Sequence, residues 1–429
     1  MDEHVLSLDA LFAILPDVPE AEEVRQRFLA ASVPNPGMIW TNASAYSTYD
    51  KRVVPTADLN TLLHGAEQAS LERVRRIYAI LAEAVNALAQ GDISRVAERL
   101  IQLGEQAASA ERPVEAAAYF ESAVRVTAAL PIPHLKAFAL RKLARARAST
   151  GDIDAASVLY RASHEQAAAA NDHESQITSL IGLGNMFTVQ GRWHEAGERY
   201  HDALTHASTA RPQLRGQALI NLSMVARETG DHEGAAAWLE RAHGLWPELT
   251  PGDRSVWHNN EGLLHLARDE FEAAHTAFEA ALEQADSDYD RAMICDNLAE
   301  LLLRQERLDQ AEAAGRRAET FALSAGSPRA LAEVYVRLGK VFRLRGDANG
   351  VTFFEKALEI CRERPYALIE AHAFFEYGLF RRVLGDVDEA RSFLEQAQSR
   401  YSELGSVELS EQAERLASQL NDAPDLSGP

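Results

Sequence analysis

The stretch Leu183-Gly184-Asn185-Met186-Phe187-Thr188-Val189-Gln190-Gly191-Arg192-Trp193-His194-Glu195-Ala196-Gly197-Glu198-Arg199-Tyr200-His201-Asp202-Ala203 decides how the whole chain is read. Its small and apolar residues fall at Leu183, Gly184 and Phe187 on one side of Gly191, and at Ala196, Tyr200 and Ala203 on the other. Spacings of three and four describe two short helices, each with one apolar stripe, joined by a tight turn. The pattern then recurs: Leu338-Gly339, Phe342 and Gly346 repeat the first half, and Ala390, Leu394 and Ala397 after Gly385 repeat the second.

With the turn as anchor, the repeats fall at Glu111, Gly151, Gly191, Gly230, Asp269, Glu306, Gly346 and Gly385, in steps of 40, 40, 39, 39, 37, 40 and 39 residues. A small residue stands seven positions before each anchor: Gly104, Ala144, Gly184, Ser223, Gly262, Ala299, Gly339 and Gly378. A leucine usually precedes it, and this leucine slot gives every hairpin a common register. Beyond the anchors come Ala116, Ala156, Ala196, Ala235, Ala274, Ala311 and Ala390, then a large residue such as Phe120, Tyr160, Tyr200 or Phe278 four positions on. A fixed period of this length is the signature of stacked helical hairpins, which are built to present a surface.

The Leu-Gly pair, the aromatic three residues after the glycine and the Ala…aromatic…Ala series resemble the tetratricopeptide repeat. The resemblance covers roughly residues 95–404, and its longer period is similar to the kinesin-light-chain variety and to bacterial regulators of the family. It implies an all-α chain: a right-handed superhelical solenoid of about eight helical hairpins with an N-terminal helical and irregular cap. The domains expected are a cap or lid over 1–66, the array over 67–406, a capping helix over 407–421 and a disordered tail over 422–429.

Two hairpins depart from the period. One residue is missing after Gly346, which puts Gly350 in an alanine slot and Phe354 and Ala357 in the next two. Gly315 replaces the aromatic of the sixth hairpin, so looser packing is expected there. Outside the repeat, Val33-Pro34-Asn35-Pro36-Gly37 breaks any helix, and Trp40, Tyr46 and Tyr49 follow it. That aromatic segment is read as a cover for the first hairpin, with a groove-filling lid or a homodimer contact as alternatives.

Composition narrows the function classes. Asp+Glu number 64 against Lys+Arg 43, a formal net charge of −21, and such a field repels phosphate backbones and anionic lipid. Neither a nucleic acid nor a membrane is an expected partner. Cys295 and Cys361 lie far apart, no signal peptide is visible, and no apolar run reaches the ~18 residues of a spanning helix, so a cytoplasmic location is expected. There is no HExxH, no phosphate-cradling glycine loop and no GxSxG. The chain is read as no enzyme, with no catalytic residue, cofactor or metal assigned.

In the resembled family, partners lie on the face formed by the first helix of each hairpin. On the leucine register that face receives Arg141, Arg145, Asn185, Arg227, Asn259, Asp296, Glu300, Lys340, Arg343 and Arg382. Arginine there suits an acidic peptide or a terminal carboxylate, because its planar fork bonds both oxygens. Chaperone co-factors of the family use a Lys-Asn-Asn-Lys-Arg clamp for that purpose. Asn185 and Asn221 match the two Asn slots, but Ile181, Val256 and Asn260 occupy the others, so a chaperone-tail adaptor is disfavoured. Asn221, Asn260 and Asn297 recur one position before the leucine slot, where a structural role is expected.

The fifth hairpin carries a polar fault. His258, Glu261 and His265 replace apolar residues on one helical face, with Cys295 in the next hairpin and His275 on the neighbouring helix. A hydrogen-bonded polar cluster is expected, and convergence on a divalent metal is the sharper alternative. The leading expectation for the chain is a protein–protein interaction scaffold that holds an extended peptide or helix. A ligand-responsive regulator comes second, and a metal-dependent or enzymatic accessory protein third.

Overall fold

The computed structural model describes Ile80, Glu83, Ala84, Ala87 and residues 92–421, apart from positions 111, 129–130, 208–210 and 365. The expectations for 1–66 and 422–429 lie outside the described residues, as does the anchor at Glu111. Among the described residues there are seventeen α-helices and no strand. They follow in pairs: α1 (Ile93–Ser109) and α2 (Pro113–Ala128), α3 (Pro133–Ser149) and α4 (Ile153–Ala169), α5 (His173–Val189) and α6 (Trp193–His206), α7 (Pro212–Glu228) and α8 (His232–His243). Then come α9 (Pro251–Ala267) and α10 (Phe271–Gln284), α11 (Asp288–Arg304) and α12 (Leu308–Ser324), α13 (Pro328–Arg345) and α14 (Val351–Glu363), α15 (Ala367–Leu384) and α16 (Val387–Glu403), and a final α17 (Val407–Asn421). None of these is long and apolar enough to cross a membrane.

The anchors are where the backbone turns left-handed. Gly151, Gly191, Gly230, Gly346 and Gly385 have positive φ, and so do Asp269 and Glu306, the two positions where the repeat lacks glycine. At Gly191 the chain closes α5 with bonds from Gly191 N to the Thr188 carbonyl (3.0 Å) and from Arg192 N to the Phe187 carbonyl (2.9 Å). That pairing satisfies carbonyls the helix itself leaves open, and glycine reaches φ +73 without strain. Starts are capped in turn. Ser327 accepts from Ala330 N ahead of Pro328, and Thr250 forms a reciprocal capping box with Asp253.

The small residue before the leucine-register turn is small for a steric reason. A Cβ on Gly184 would stand 2.5 Å from the Tyr200 ring, and one on Gly104, Gly262 or Gly339 would press equally on Phe120, Phe278 or Phe354. The glycine lets the aromatic of the second helix lie flat on the first, and each such ring is at most 2% exposed. Burying a side chain of that size is worth about 1.5–3 kcal/mol. The sixth hairpin differs from expectation. Gly315 is not a loose spot, because Leu338 of the next hairpin fills it, 2.7 Å from where a Cβ would stand. After Gly346, a 3-10 turn over Ala348–Gly350 absorbs the missing residue, and Phe354 and Ala357 return to full burial.

Two compact units result. Residues up to Arg147 with Val158–Gln176 form one, built on Leu100, Leu103, Phe120, Val126, Ala139 and Leu143, with Ile80 and Ala87 added. Residues Ala148–Ser157 with those from Ile177 onward form the other. Its core runs hairpin by hairpin from Leu219 and Leu239 through Phe278, Leu298 and Leu338 to Phe354 and Phe380. It ends where Ala413, Ala417 and Leu420 of α17 meet Tyr401, Ala390 and Leu394 of α16. The turn at 150–151 belongs to this second unit because it touches the α14–α15 connection: Arg364 Nη1 donates to the Thr150 carbonyl, and the Tyr366 side chain lies on Gly151. Leu368 and Leu404 stand against Gly191 in the same way.

Candidate functional site

On the first helices, polar residues recur at positions two before, one before, two after and five after the leucine slot. In the second unit these positions carry two kinds of chemistry. From α5 to α11 four amides stand among apolar residues such as Ile181, Ile220, Met224 and Leu263. Asn221 Nδ2 donates to Asn185 Oδ1 at 3.3 Å, and the Tyr200 hydroxyl donates to the same oxygen at 2.6 Å. Asn297 Nδ2 donates to Asn259 Oδ1 at 2.8 Å. Asn185 is exposed, and Asn221, Asn259 and Asn297 keep solvent access. Asn260 turns the other way: it is buried, and donates to the Ile220 carbonyl (3.2 Å) and Ser223 Oγ (3.4 Å) of the preceding hairpin.

From α11 to α15 ions gather on the first helices instead, with Arg343 five positions after the slot. Arg337 forks onto Asp296, with Nη2 3.1 Å from Oδ2, and its Nη1 bonds Glu300. Lys340 Nζ donates to both Glu300 oxygens at 2.9 and 3.0 Å. Arg343 Nε donates to Glu376 Oε2 at 2.9 Å. Beside this row, Arg329 bonds Glu333 (3.1 Å) and the Tyr289 hydroxyl (3.0 Å). Burial works against each charge, but the neighbours decide the outcome. Asp296 and Glu300 push Arg337 up, and Arg337 with Lys340 pulls Glu300 down. Asp296 itself, 3% exposed, is raised by burial, with Arg337 holding it back.

His372 on α15 feels the same cations. Its side chain reaches solvent. Yet burial by surrounding protein, then the cations Arg337 and Lys340, pushes its pKa down to about 4. Arg329 of α13 also opposes the rise that burial imposes on the phenol of Tyr200 in α6.

The sequence-assigned residues therefore separate. Asn185, Asn259, Asp296, Glu300, Lys340 and Arg343 belong to these two rows. Arg227 pairs with its neighbour Glu228 at 2.7 Å, and Arg382 is exposed at the end of α15. The positive charge expected of Lys340 and Arg343 is met by Glu300 and Glu376. Sequence reading missed Arg337, Glu376, Arg329, Glu333 and His372. The signal for the first two was present: both stand one position before the leucine slot, in line with Asn221 and Asn297.

In the first unit, Arg141 and Arg145 are one helical turn apart on α3. Arg145 is exposed, while Arg141 is half-buried with its guanidinium 4.9 Å from the centre of the Phe138 ring. Burial raises the phenol of Tyr160 on α4, and the charges of Arg145 and Arg141 oppose that rise.

The polar fault of the fifth hairpin does not converge. His258 Nδ1 meets Glu261 Oε2 at 3.2 Å, His265 Nδ1 meets Glu270 Oε2 at 2.5 Å, and His275 faces Glu279 at 3.6 Å. Three imidazoles with three different carboxylates give no shared point for an ion, and no metal-binding group occurs among the described residues. Cys295 is buried and its thiol is raised by that burial. His258 belongs instead to an aromatic cluster with Trp246 and Trp257, at 5.3 and 5.1 Å between ring centres. The Trp257 indole donates to the Leu239 carbonyl at 2.9 Å, which ties α9 to α8.

Comparison with known proteins gives a consistent answer. Residues 175–248 and 259–328 match tetratricopeptide-repeat families. No curated protein matches the sequence. Among solved structures, the fold is similar to that of a Rap protein complexed with competence and sporulation factor (13% identity, 85% of this chain and 96% of that one, TM-score 0.53). It is similar also to the Rap conjugation gene regulator of the plasmid pLS20 in complex with the Phr* peptide (13% identity, 82% of this chain and 95% of that one, TM-score 0.53). At that identity the likeness is one of fold. The repeat register, the helix pairs and both family matches agree that residues 175–248 and 259–328 of this chain are tetratricopeptide repeats.

Proposed function

We propose that the chain is a binding scaffold, without catalytic activity of its own, that holds an extended peptide or a helix of a partner protein along the first-helix face of α5 to α11. The carrying observation is the row of amides at Asn185, Asn221, Asn259 and Asn297. An asparagine offers two donors and two acceptor lone pairs, and the bonds within this row use only part of that capacity. The remainder faces solvent, once per hairpin, and matches what an extended backbone presents. The Rap structures of similar fold were solved with competence and sporulation factor and with the Phr* peptide, which supports a peptide as the ligand class.

Selection of peptides from a random display library on the full chain tests this reading. Binders are expected, and Asn221→Ala with Asn297→Ala should weaken them about 30-fold, the loss of two hydrogen bonds of about 1 kcal/mol each. A library that yields no binder, or binders indifferent to both changes, sinks the proposal.

A further inference from the structure

One face of α5, α7 and α9 meets solvent without presenting a charge. Thr178 and Asn185 stand on it in α5, seven residues apart. Gln217, Asn221 and Met224 do so in α7, and Val256, Asn259 and Leu263 in α9. Spacings of three, four and seven put each set on a single side of its helix. The three sets adjoin, because Asn221 Nδ2 donates to Asn185 Oδ1 at 3.3 Å and Gln217 Nε2 to Asp253 Oδ1 of α9 at 2.8 Å. His258, Glu261 and His265 lie two positions along from the α9 set, a rotation of about 200° that turns them to the other side. At the borders, Asp253 also accepts from Thr250 N at 3.1 Å, and Arg227 near the end of α7 pairs with Glu228 at 2.7 Å.

Charge is the ordinary coating of helix positions that water reaches, and 25% of this chain is Asp, Glu, Lys or Arg. At the same register positions α11 carries Asp296 and Glu300, and α13 carries Glu333, Arg337 and Lys340. Their absence from three successive hairpins needs a cause. Packing supplies none, since these side chains are half-buried or exposed, and a long charged side chain there would still reach water. What remains is amides interleaved with Met224, Val256 and Leu263. Depletion of charge with enrichment of methionine marks the centre of a protein–protein contact. Methionine also fits its flexible side chain to whatever covers it. A charged ligand residue laid on this strip would lose its water and meet no counter-ion, whereas an apolar one gains by burial.

We propose that the segment held on α5, α7 and α9 is an uncharged peptide stretch with apolar side chains. Those side chains lie on Met224, Val256 and Leu263, while the backbone bonds to Asn185, Asn221 and Asn259. This rests on the scaffold reading above and names the chemistry its ligand must carry. Three adjoining helices at about 10 Å between axes span roughly 20 Å, which an extended stretch of about six residues covers. Charged residues of the ligand fall outside that stretch.

The test has two arms on the full chain. In the first, methionine methyl resonances are followed by NMR while N-acetyl-leucyl-leucine amide, or its dilysine or diglutamate counterpart, is added. The chain has five methionines, and the Met224 signal is identified by its loss in Met224→Leu. The leucine compound should shift that signal progressively, and the two charged ones should leave it in place at equal concentration. A Met224 signal that ignores the leucine compound, or follows a charged one at about ten-fold lower concentration, overturns the neutral strip. In the second arm, display selection is run on the unmodified chain and on Met224→Lys, with thermal unfolding as the check that the variant is folded. Peptides from the unmodified chain should share an uncharged apolar core and bind Met224→Lys about 30-fold more weakly. The variant should instead select peptides with Asp or Glu in that core. Peptides that need their charged residues, yet weaken with Asn221→Ala, leave the scaffold standing and remove the neutral strip. A Met224 signal that answers only the leucine compound while no peptide is selected does the reverse.

Discussion

The stretch from α5 to α11 and the stretch from α11 to α15 use the same register positions for opposite ends. In the first, amides touch one another and keep bonding capacity to spare. In the second, Asp296, Arg337, Glu300, Lys340, Glu376 and Arg343 satisfy one another from hairpin to hairpin. A position that faces the groove can thus recognise or fasten, and which it does depends on whether its neighbours already use up its chemistry. Lysine and arginine in a groove are no evidence of an acidic ligand until their partners are counted. By that count neither Lys340 nor Arg343 qualifies.

The comparison breaks most visibly at Arg337. Arg337→Met leaves Asp296 buried without its counter-ion and should cost about 3–5 kcal/mol, read as a lowered midpoint in urea unfolding at pH 7. The deficit should shrink in acid. Burial raises the Asp296 carboxyl above its ordinary 3.8, so the folded chain binds that proton more readily than the unfolded one. Stability of the variant therefore falls as pH rises from the unfolded value through the raised folded one, and recovers as pH is lowered again. An unchanged urea midpoint would mean that the ionic row fastens nothing.

His372 sharpens the same contrast by NMR. Its imidazole should titrate near pH 4, and Lys340→Met should move that midpoint upward by removing one repelling cation. A midpoint near 6.5 in the unmodified chain would show that the ionic row faces open water. The amide row predicts a smaller change. Asn297→Ala should cost only about 0.5–1.5 kcal/mol in thermal unfolding, since a neutral, solvent-reachable bond is lost. At the weak end stands Asp309, whose side chain is 99% exposed although it pairs with Arg345 at 2.7 Å. Asp309→Asn should change stability by less than about 0.5 kcal/mol, and a larger loss would argue that the ionic row extends to the outer surface.

The fold was legible because each hairpin carries both halves of its own packing contact. Gly184 and Tyr200, or Gly339 and Phe354, lie about sixteen residues apart, and small against large at that spacing is visible in one dimension. The left-handed turns at Asp269 and Glu306 were found by counting, since neither residue type announces them. The groove was only half legible. Arg337 meets its carboxylates 37 and 41 residues away, and the stagger between neighbouring hairpins decides which pairs form. The same limit hid the filling of Gly315 by Leu338 and suggested convergence of His258, Glu261 and His265, of which the first two pair with each other while His265 meets Glu270.

The bond from Arg364 to the Thr150 carbonyl spans 214 residues in a structure whose other contacts run mainly between neighbours. A chain of nearest-neighbour hairpins can begin folding anywhere and fray from either end. Joining two points so far apart carries a closure entropy of about 5 kcal/mol if the intervening chain is loose, and almost none once the hairpins between have stacked. The clasp between the 148–157 turn and the α14–α15 connection is thus a late event in folding. Once made, it couples the melting of hairpins that never touch, and turns a gradual unzipping into a shared transition.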